Sequence, residues 1–170
     1  MSDAPFVVEA LGTQDRSAFR SGVDALDRYF HTQVTQDVRR RVTACFVGLD
    51  RGTGVIAGYY TLSASDVVLA EVPADLARKL PRYPAVPVAL LGRLAIDRTF
   101  RGWKLGAALL VNAAARAARS DIAVFGLVVD AKDDRTEAFY RHFGFRPFGT
   151  RPRRLIAAID TFRALLGPAR

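Results

Sequence analysis

Leu91-Gly92-Arg93-Leu94-Ala95-Ile96-Asp97-Arg98-Thr99-Phe100-Arg101-Gly102-Trp103-Lys104-Leu105-Gly106-Ala107-Ala108-Leu109-Leu110 is the stretch on which the fold turns. Its beginning closes an apolar run over residues 88–97, interrupted only by Gly92 and Arg93, that reads as a central strand. Its end opens residues 105–119, rich in alanine and leucine and therefore suited to a helix. Between them runs a loop with Arg98, Arg101, Gly102 and Lys104, followed by Gly106. The first amides of a helix lack internal partners and sit at its positive end, so a strand–loop–helix of this kind can hold a pyrophosphate.

Outward from that centre, residues 6–11 suit an opening strand, and apolar residues at three- and four-residue spacing over 22–41 predict one or two amphipathic helices. Residues 43–49 and 55–63 read as strands of a hairpin around the turn-prone 50–54. Residues 67–72 extend the sheet, 74–80 suit a short helix after Pro73, and 81–87 form an extended connector. Downstream, 124–129 is a covered strand. Asp134 and Glu137 stand at capping-box spacing before Phe139, and Gly144 is placed to end that helix. Residues 154–159 close as a strand, with Asp160 capping a last short helix. This order is α/β with a mixed sheet, and 170 residues suit a single domain over 1–170.

The net charge of +8 is concentrated in the middle of the chain. Residues 1–77 carry 7 basic and 10 acidic side chains, residues 78–119 carry 9 and 1, and residues 120–170 carry 9 and 6. Such a surface suits a phosphorylated cofactor, a nucleic acid or both, or simply keeps the protein soluble. Cys45, the only cysteine, lies in an apolar stretch and reads as a buried filler rather than a reactive thiol, which leaves no internal disulfide. With only His31 and His142 as histidines, no metal site is expected. Met1-Ser2-Asp3-Ala4-Pro5 has no basic or apolar leader character, and no apolar run approaches the roughly 18–20 residues of a membrane span, so a cytoplasmic protein with no membrane contact is expected.

The loop Arg101-Gly102-Trp103-Lys104-Leu105-Gly106 resembles the pyrophosphate loop of the GNAT acetyltransferases, Arg/Gln-x-x-Gly-x-Gly/Ala, with Lys104 in the place of the middle glycine. Five blocks in order resemble the GNAT toxins of bacterial toxin–antitoxin pairs. They are Ala25-Leu26-Asp27-Arg28-Tyr29-Phe30, Ile56-Ala57-Gly58-Tyr59-Tyr60-Thr61-Leu62-Ser63, Leu91-Gly92-Arg93-Leu94-Ala95-Ile96-Asp97, Val128-Val129-Asp130-Ala131-Lys132-Asp133 and Phe139-Tyr140-Arg141-His142-Phe143-Gly144-Phe145. The resemblance implies the GNAT acyl-CoA N-acyltransferase fold, an α/β (α+β) sheet of about six to seven strands with a splayed central pair. It also implies acetyl-CoA as co-substrate, the α-amine of aminoacyl-tRNA as acceptor, a ribbon–helix–helix antitoxin that brings operator DNA into the complex, and a homodimer.

By the same resemblance, Leu94, Ala95 and Ile96 offer backbone amides to the pantetheine and thioester, with Ile96 as oxyanion donor. Residues Arg101, Gly102, Trp103, Lys104, Leu105, Gly106 and Ala107 hold the pyrophosphate, and Tyr140 protonates the leaving thiolate. Read from the residues alone, several of these positions stay open. Asp130 stands beside the cofactor arm or makes a loop hydrogen bond; Phe139 and Phe143 are core or cofactor contacts; Trp103 stacks on a base or covers the helix start. Arg93, odd in an apolar strand, pairs with a carboxylate or, with Arg98, reaches the acceptor's phosphates. The functions in play are acetylation of aminoacyl-tRNA, acetylation of a small amine or protein N-terminus, and non-catalytic nucleic-acid binding.

Overall fold

Strands form where apolar residues alternate or run together, and the computed structural model, which describes residues 4–166, orders seven of them in one sheet. The inference drawn from Met1, Ser2 and Asp3 lies outside the described residues. In chain order the elements are β1 (Phe6–Ala10), α1 (Asp24–Thr32), α2 (Val34–Arg39), β2 (Ala44–Asp50), β3 (Ile56–Val68), α3 (Ala74–Ala77), β4 (Ala85–Ile96), α4 (Leu105–Arg119), β5 (Gly126–Asp130), α5 (Asp134–His142), β6 (Arg146–Pro147), β7 (Arg154–Ala158) and α6 (Arg163–Leu166). The strand order is β1-β2-β3-β4-β5-β7-β6, with β4 and β5 parallel and the neighbours β1–β2, β2–β3, β5–β7 and β6–β7 antiparallel. The chain divides into two compact units: one runs to Ser63 and takes in Gly92–Ala113, the other takes Ala64–Leu91 and the chain from Ala114.

In the first unit, strand alternation sends one set of side chains to α1 and α2 and the other to α4. Cys45, Val47 and Tyr59 join Phe19, Tyr29, Phe30, Val34, Ile56 and Ala95 in a buried cluster. Phe30 stacks on Tyr59 at 4.2 Å, and Phe19 meets both edge-on. On the other face Gly48 and Gly58, paired across the β2–β3 hairpin, form a notch. A Cβ on Gly48 would lie 3.2 Å from Leu109, and one on Gly58 would lie 2.9 Å from both Leu109 and the Ala95 carbonyl. Glycine at both places therefore lets α4 sit directly on the sheet, with Leu105 and Leu109 fully buried.

In the second unit, β5 is paired on both sides, with β4 through Val88–Gly126 to Leu91–Val129 and with β7 through Gly126–Ala158 to Asp130–Arg154. Val67, Val72, Val86, Val88, Val128, Phe148 and Ile156 make its apolar cluster. Gly126 is obligatory, because a Cβ there would lie 2.4 Å from the Ala157 carbonyl oxygen.

Several boundaries differ from those read in the sequence. Residues 69–71 form a single 3-10 turn rather than strand, and β4 starts at Ala85 inside the expected connector. The expected strand 124–129 is displaced to Gly126–Asp130. The cap of α5 is Asp133, whose carboxylate accepts from the Thr136 amide at 2.8 Å, one residue before the expected Asp134. Asp160 caps nothing: it lies within a 3-10 turn, Ile159–Phe162, and pairs with Arg163 at 2.6 Å. The two-residue β6 was not foreseen.

Candidate active site

The loop after β4 is held by three straps to the segment around Ser21. Asp97, nearly buried, accepts from the Arg20 and Thr99 amides at 2.9 Å each and so caps the 3-10 turn Arg98–Phe100. The Arg98 amide donates to the Arg20 carbonyl at 2.8 Å. The Arg101 guanidinium donates to the Ser21 carbonyl, above Gly22, where a Cβ would meet it at 2.9 Å. Ser21 is itself fixed, its amide and hydroxyl both donating to the buried Asp27 carboxylate at 2.9 and 2.6 Å. The Arg101 side chain thus braces the loop, and Asp97, Asp27 and Ser21 are functional supports that the sequence reading missed.

Beyond the straps the loop is open. Arg98, Arg101, Gly102, Trp103 and Lys104 are exposed, Trp103 at 61 %, so most of its ring faces solvent. Gly102 has φ +84° with open space around it, so glycine is there for the backbone conformation. Lys104, standing where the resembled pattern has glycine, has φ 60°, the left-handed region that glycine occupies at no steric cost. Its carbonyl accepts from Ala108 at 3.2 Å and begins α4. The amides of Leu105, Gly106 and Ala107 therefore have no partner within the 15-residue helix and face the end where its dipole is positive. Leu105 takes part through its main chain only, because its side chain is 1 % exposed; Gly106 and Ala107 are half-buried. This donor set, with Arg98 and Lys104 beside it, fits a pyrophosphate.

Upstream on β4, Ala95 is buried, and Leu94, Ile96 and Arg93 are half-buried. The Arg93 guanidinium carbon lies 3.4 Å from the centre of the Tyr29 ring, and, after the hydrogen bonds from Gln33 and Tyr29, its charge helps hold the nearby Asp37 carboxyl below its usual range.

Tyr140, Phe139 and Asp130 belong to the second unit. Helix α5 ends in a Schellman motif, in which Gly144, at φ +95°, donates to the Arg141 carbonyl and the Phe145 amide to the Tyr140 carbonyl. The apolar contact that accompanies such a motif is here the Tyr140 ring against Phe145 at 5.3 Å, and Phe139 meets the same ring at 5.2 Å. The ring is 5 % exposed, and burial pushes the phenol above its ordinary pKa of about 10. Its hydroxyl makes no hydrogen bond to any described residue, while no buried side-chain oxygen or nitrogen among them lacks a partner, so the hydroxyl reaches the surface. Tyr140 thus presents a closely packed ring and a hydroxyl proton that bonds to no described residue. Phe139 and Phe143, half-buried and 5.2 Å apart, form part of its packing. Asp130 is exposed and pairs with Arg154 at 3.1 Å and Arg151 at 3.9 Å.

Against known proteins, the model of the Acetyltransferase (GNAT) family matches residues 11–145. A tRNA-acetylating toxin of Mycobacterium tuberculosis (strain ATCC 25618 / H37Rv) is 35% identical over 155 residues, 90% of this chain and 91% of that protein. The structure of AtaT complexed with acetyl-methionyl-tRNAfMet superposes with a TM-score of 0.85 at 27% identity, covering 95% of this chain and 99% of the other. That of AtaTR bound with AcCoA superposes with a TM-score of 0.78 at 26% identity, over 96% of this chain and 99% of the other.

Proposed function

Because the chain belongs to the GNAT acetyltransferase family, we propose that it moves an acetyl group from acetyl-CoA to the α-amine of aminoacyl-tRNA and thereby blocks translation as the toxin of a toxin–antitoxin pair. The observation that carries the choice of acceptor is the 35% identity, over nine-tenths of both chains, to a tRNA-acetylating toxin. The basic middle of the sequence and the exposed Arg39, Arg40 and Arg41 at the end of α2 suit an RNA partner.

The chemistry divides among the residues described. Acetyl-CoA supplies an acyl carbon activated as a thioester. The amides of Leu105, Gly106 and Ala107, with Arg98 and Lys104, bind its pyrophosphate, and Gly102 and Trp103 flank it. The main chain of Leu94, Ala95 and Ile96 aligns the pantetheine arm, the Ile96 amide polarising the thioester carbonyl. The acceptor must attack as a neutral amine; with a reference pKa of about 7.7–8.0 for an α-amine, lower when ester-linked, it needs no strong base. As the carbon–nitrogen bond forms and the carbon–sulfur bond breaks, Tyr140 donates its proton to the departing sulfur. The proton shed by the new amide nitrogen restores the phenol. A phenol with a raised pKa keeps its proton at every working pH, which suits a donor and not a base.

The protein on this reading is one catalytic domain, works in the cytoplasm as a homodimer, and is neutralised by a ribbon–helix–helix antitoxin that links it to operator DNA. No helix among the described residues is long and apolar enough to cross a membrane. The test is incubation with acetyl-CoA and a mixture of charged tRNAs. An acetylated aminoacyl ester whose yield falls steeply with salt is the expected product. Transfer only to small amines or protein N-termini, insensitive to salt, would replace this reading with the runner-up.

A further inference from the structure

Arg93 is a cation held against an aromatic ring, near the Asp37 carboxylate but in direct ion-pair contact with no described residue. On β4 it lies two residues from Ala95, so strand alternation turns both toward α1 and α2. There its guanidinium lies over the Tyr29 ring, 3.4 Å from the centroid. Tyr29 is in turn held by its hydroxyl, which donates to Asp37 at 2.9 Å, while Gln33 donates to the other oxygen of the same carboxylate at 3.0 Å. Hydrogen bonds from Gln33 and Tyr29, and then the charges of Arg93 and Arg40, hold the Asp37 carboxyl below its usual range. The other titratable groups near Arg93 are Cys45 and Tyr59, both kept neutral by burial. No described residue accepts a hydrogen bond from the Arg93 guanidinium. One face is covered by an aromatic ring, and the in-plane N–H fork stays open, which is the geometry that takes two oxygens of one phosphate.

We propose that Arg93 grips a backbone phosphate of the RNA acceptor close to the transferred group, and that Tyr29 and Asp37 are the residues that position it; this rests on the tRNA reading above. Coenzyme phosphates are served elsewhere. The α4 helix lies over Gly48 and Gly58, whereas Arg93 lies on the face of Cys45, Tyr59 and Tyr29, so the two anion-binding groups address opposite faces of the hairpin. On the α1–α2 side the exposed Arg39, Arg40 and Arg41 continue the positive charge outward.

The experiment compares wild type, Arg93→Met, Arg93→Lys and Tyr29→Phe for coenzyme A binding and for kcat and KM on charged tRNA across a salt series. Arg93→Met is expected to raise KM for charged tRNA about tenfold and to flatten the salt slope by about 0.7–0.9, the loss of one phosphate contact. Coenzyme A affinity and kcat stay near wild type. Arg93→Lys keeps the slope and raises KM, because a point charge cannot use the fork; it decides the matter if the methionine variant does not fold. Tyr29→Phe keeps the ring and shows a smaller rise. An unchanged KM and slope in Arg93→Met, a wild-type KM in Arg93→Lys, or an effect confined to coenzyme A binding overturns the proposal. A wild-type enzyme inactive on every charged tRNA removes this inference together with the reading beneath it, whereas an active wild type matched by Arg93→Met removes this inference alone.

Discussion

Gly58→Ala puts a methyl group where there is no room. The new Cβ would stand 2.9 Å from the Ala95 carbonyl oxygen, 2.9 Å from Leu109 Cδ1 and 3.0 Å from Ile96 Cδ1, where 3.4–4 Å is ordinary contact. The two side-chain ends can swing aside, but the carbonyl belongs to β4 and yields only if the strand moves by about half an ångström. Overpacking of this kind costs about 1–3 kcal/mol, and alanine recovers about 0.5–1 kcal/mol from the unfolded chain. The midpoints of these ranges leave a net loss of about 1 kcal/mol, seen as a lower urea midpoint at constant m and a Tm lower by about 2–4 °C. The displaced segment, Ala95 and Ile96, is the one assigned to the thioester, so kcat/KM for acetyl-CoA falls as well. Gly48→Ala is the control: its Cβ would meet the ends of Leu109 and Leu105 at 3.2 and 3.5 Å and the Gly58 carbonyl oxygen at an ordinary 3.9 Å, and costs less than about 1 kcal/mol. Stability in Gly58→Ala equal to wild type, or a Gly48→Ala loss exceeding it, would refute the notch as the seat of α4.

Lys104→Gly removes a left-handed lysine and is expected to gain up to about 1 kcal/mol in urea unfolding, after the flexibility of glycine is set against the relief; it should also make coenzyme A binding less salt-dependent. Asp133→Ala loses the α5 cap and costs about 0.5–2 kcal/mol in the same assay. Cys45, whose thiol burial pushes up to about 12, gives a pH signature. Unfolded thiols ionise near about 8.5, so the folded state binds the proton more tightly. The stability this linkage supplies is complete below that pH and is lost as pH rises toward 12. Wild type should therefore lose unfolding free energy faster than Cys45→Val over that window, and parallel curves would contradict the assignment.

The strand–loop–helix at the centre was legible because its signals are local. Helix α4 occupies Leu105–Arg119, the limits its alanine and leucine content suggested, and Gly144 ends α5 as placed. Asp133 and Asp134 are adjacent acids, and only the backbone conformation decides which one caps. Two residues, Arg146 and Pro147, are too few to show a strand period, so β6 left no pattern. The Arg101 brace, the Tyr29 seat of Arg93 and the Asp97 tether join residues 64 to 80 apart in sequence, and no window reads such a distance. The glycine notch left no such signal: Gly48 and Gly58 face each other only because the hairpin register shifts between Gly48 and Leu49. Tyr140 stood out only through the block around it; its buried ring and open hydroxyl follow from the Schellman turn at Gly144.

Tyr140→Phe removes one hydroxyl that bonds to no described residue and leaves the ring against Phe139 and Phe145. In single-turnover reactions with acetyl-CoA and charged tRNA, the rate of acetyl transfer should fall about 10²- to 10⁴-fold, while coenzyme A affinity and unfolding free energy stay within about 0.5 kcal/mol of wild type. A variant that transfers acetyl at a rate within about threefold of wild type would contradict the assignment of the leaving-group proton to this phenol.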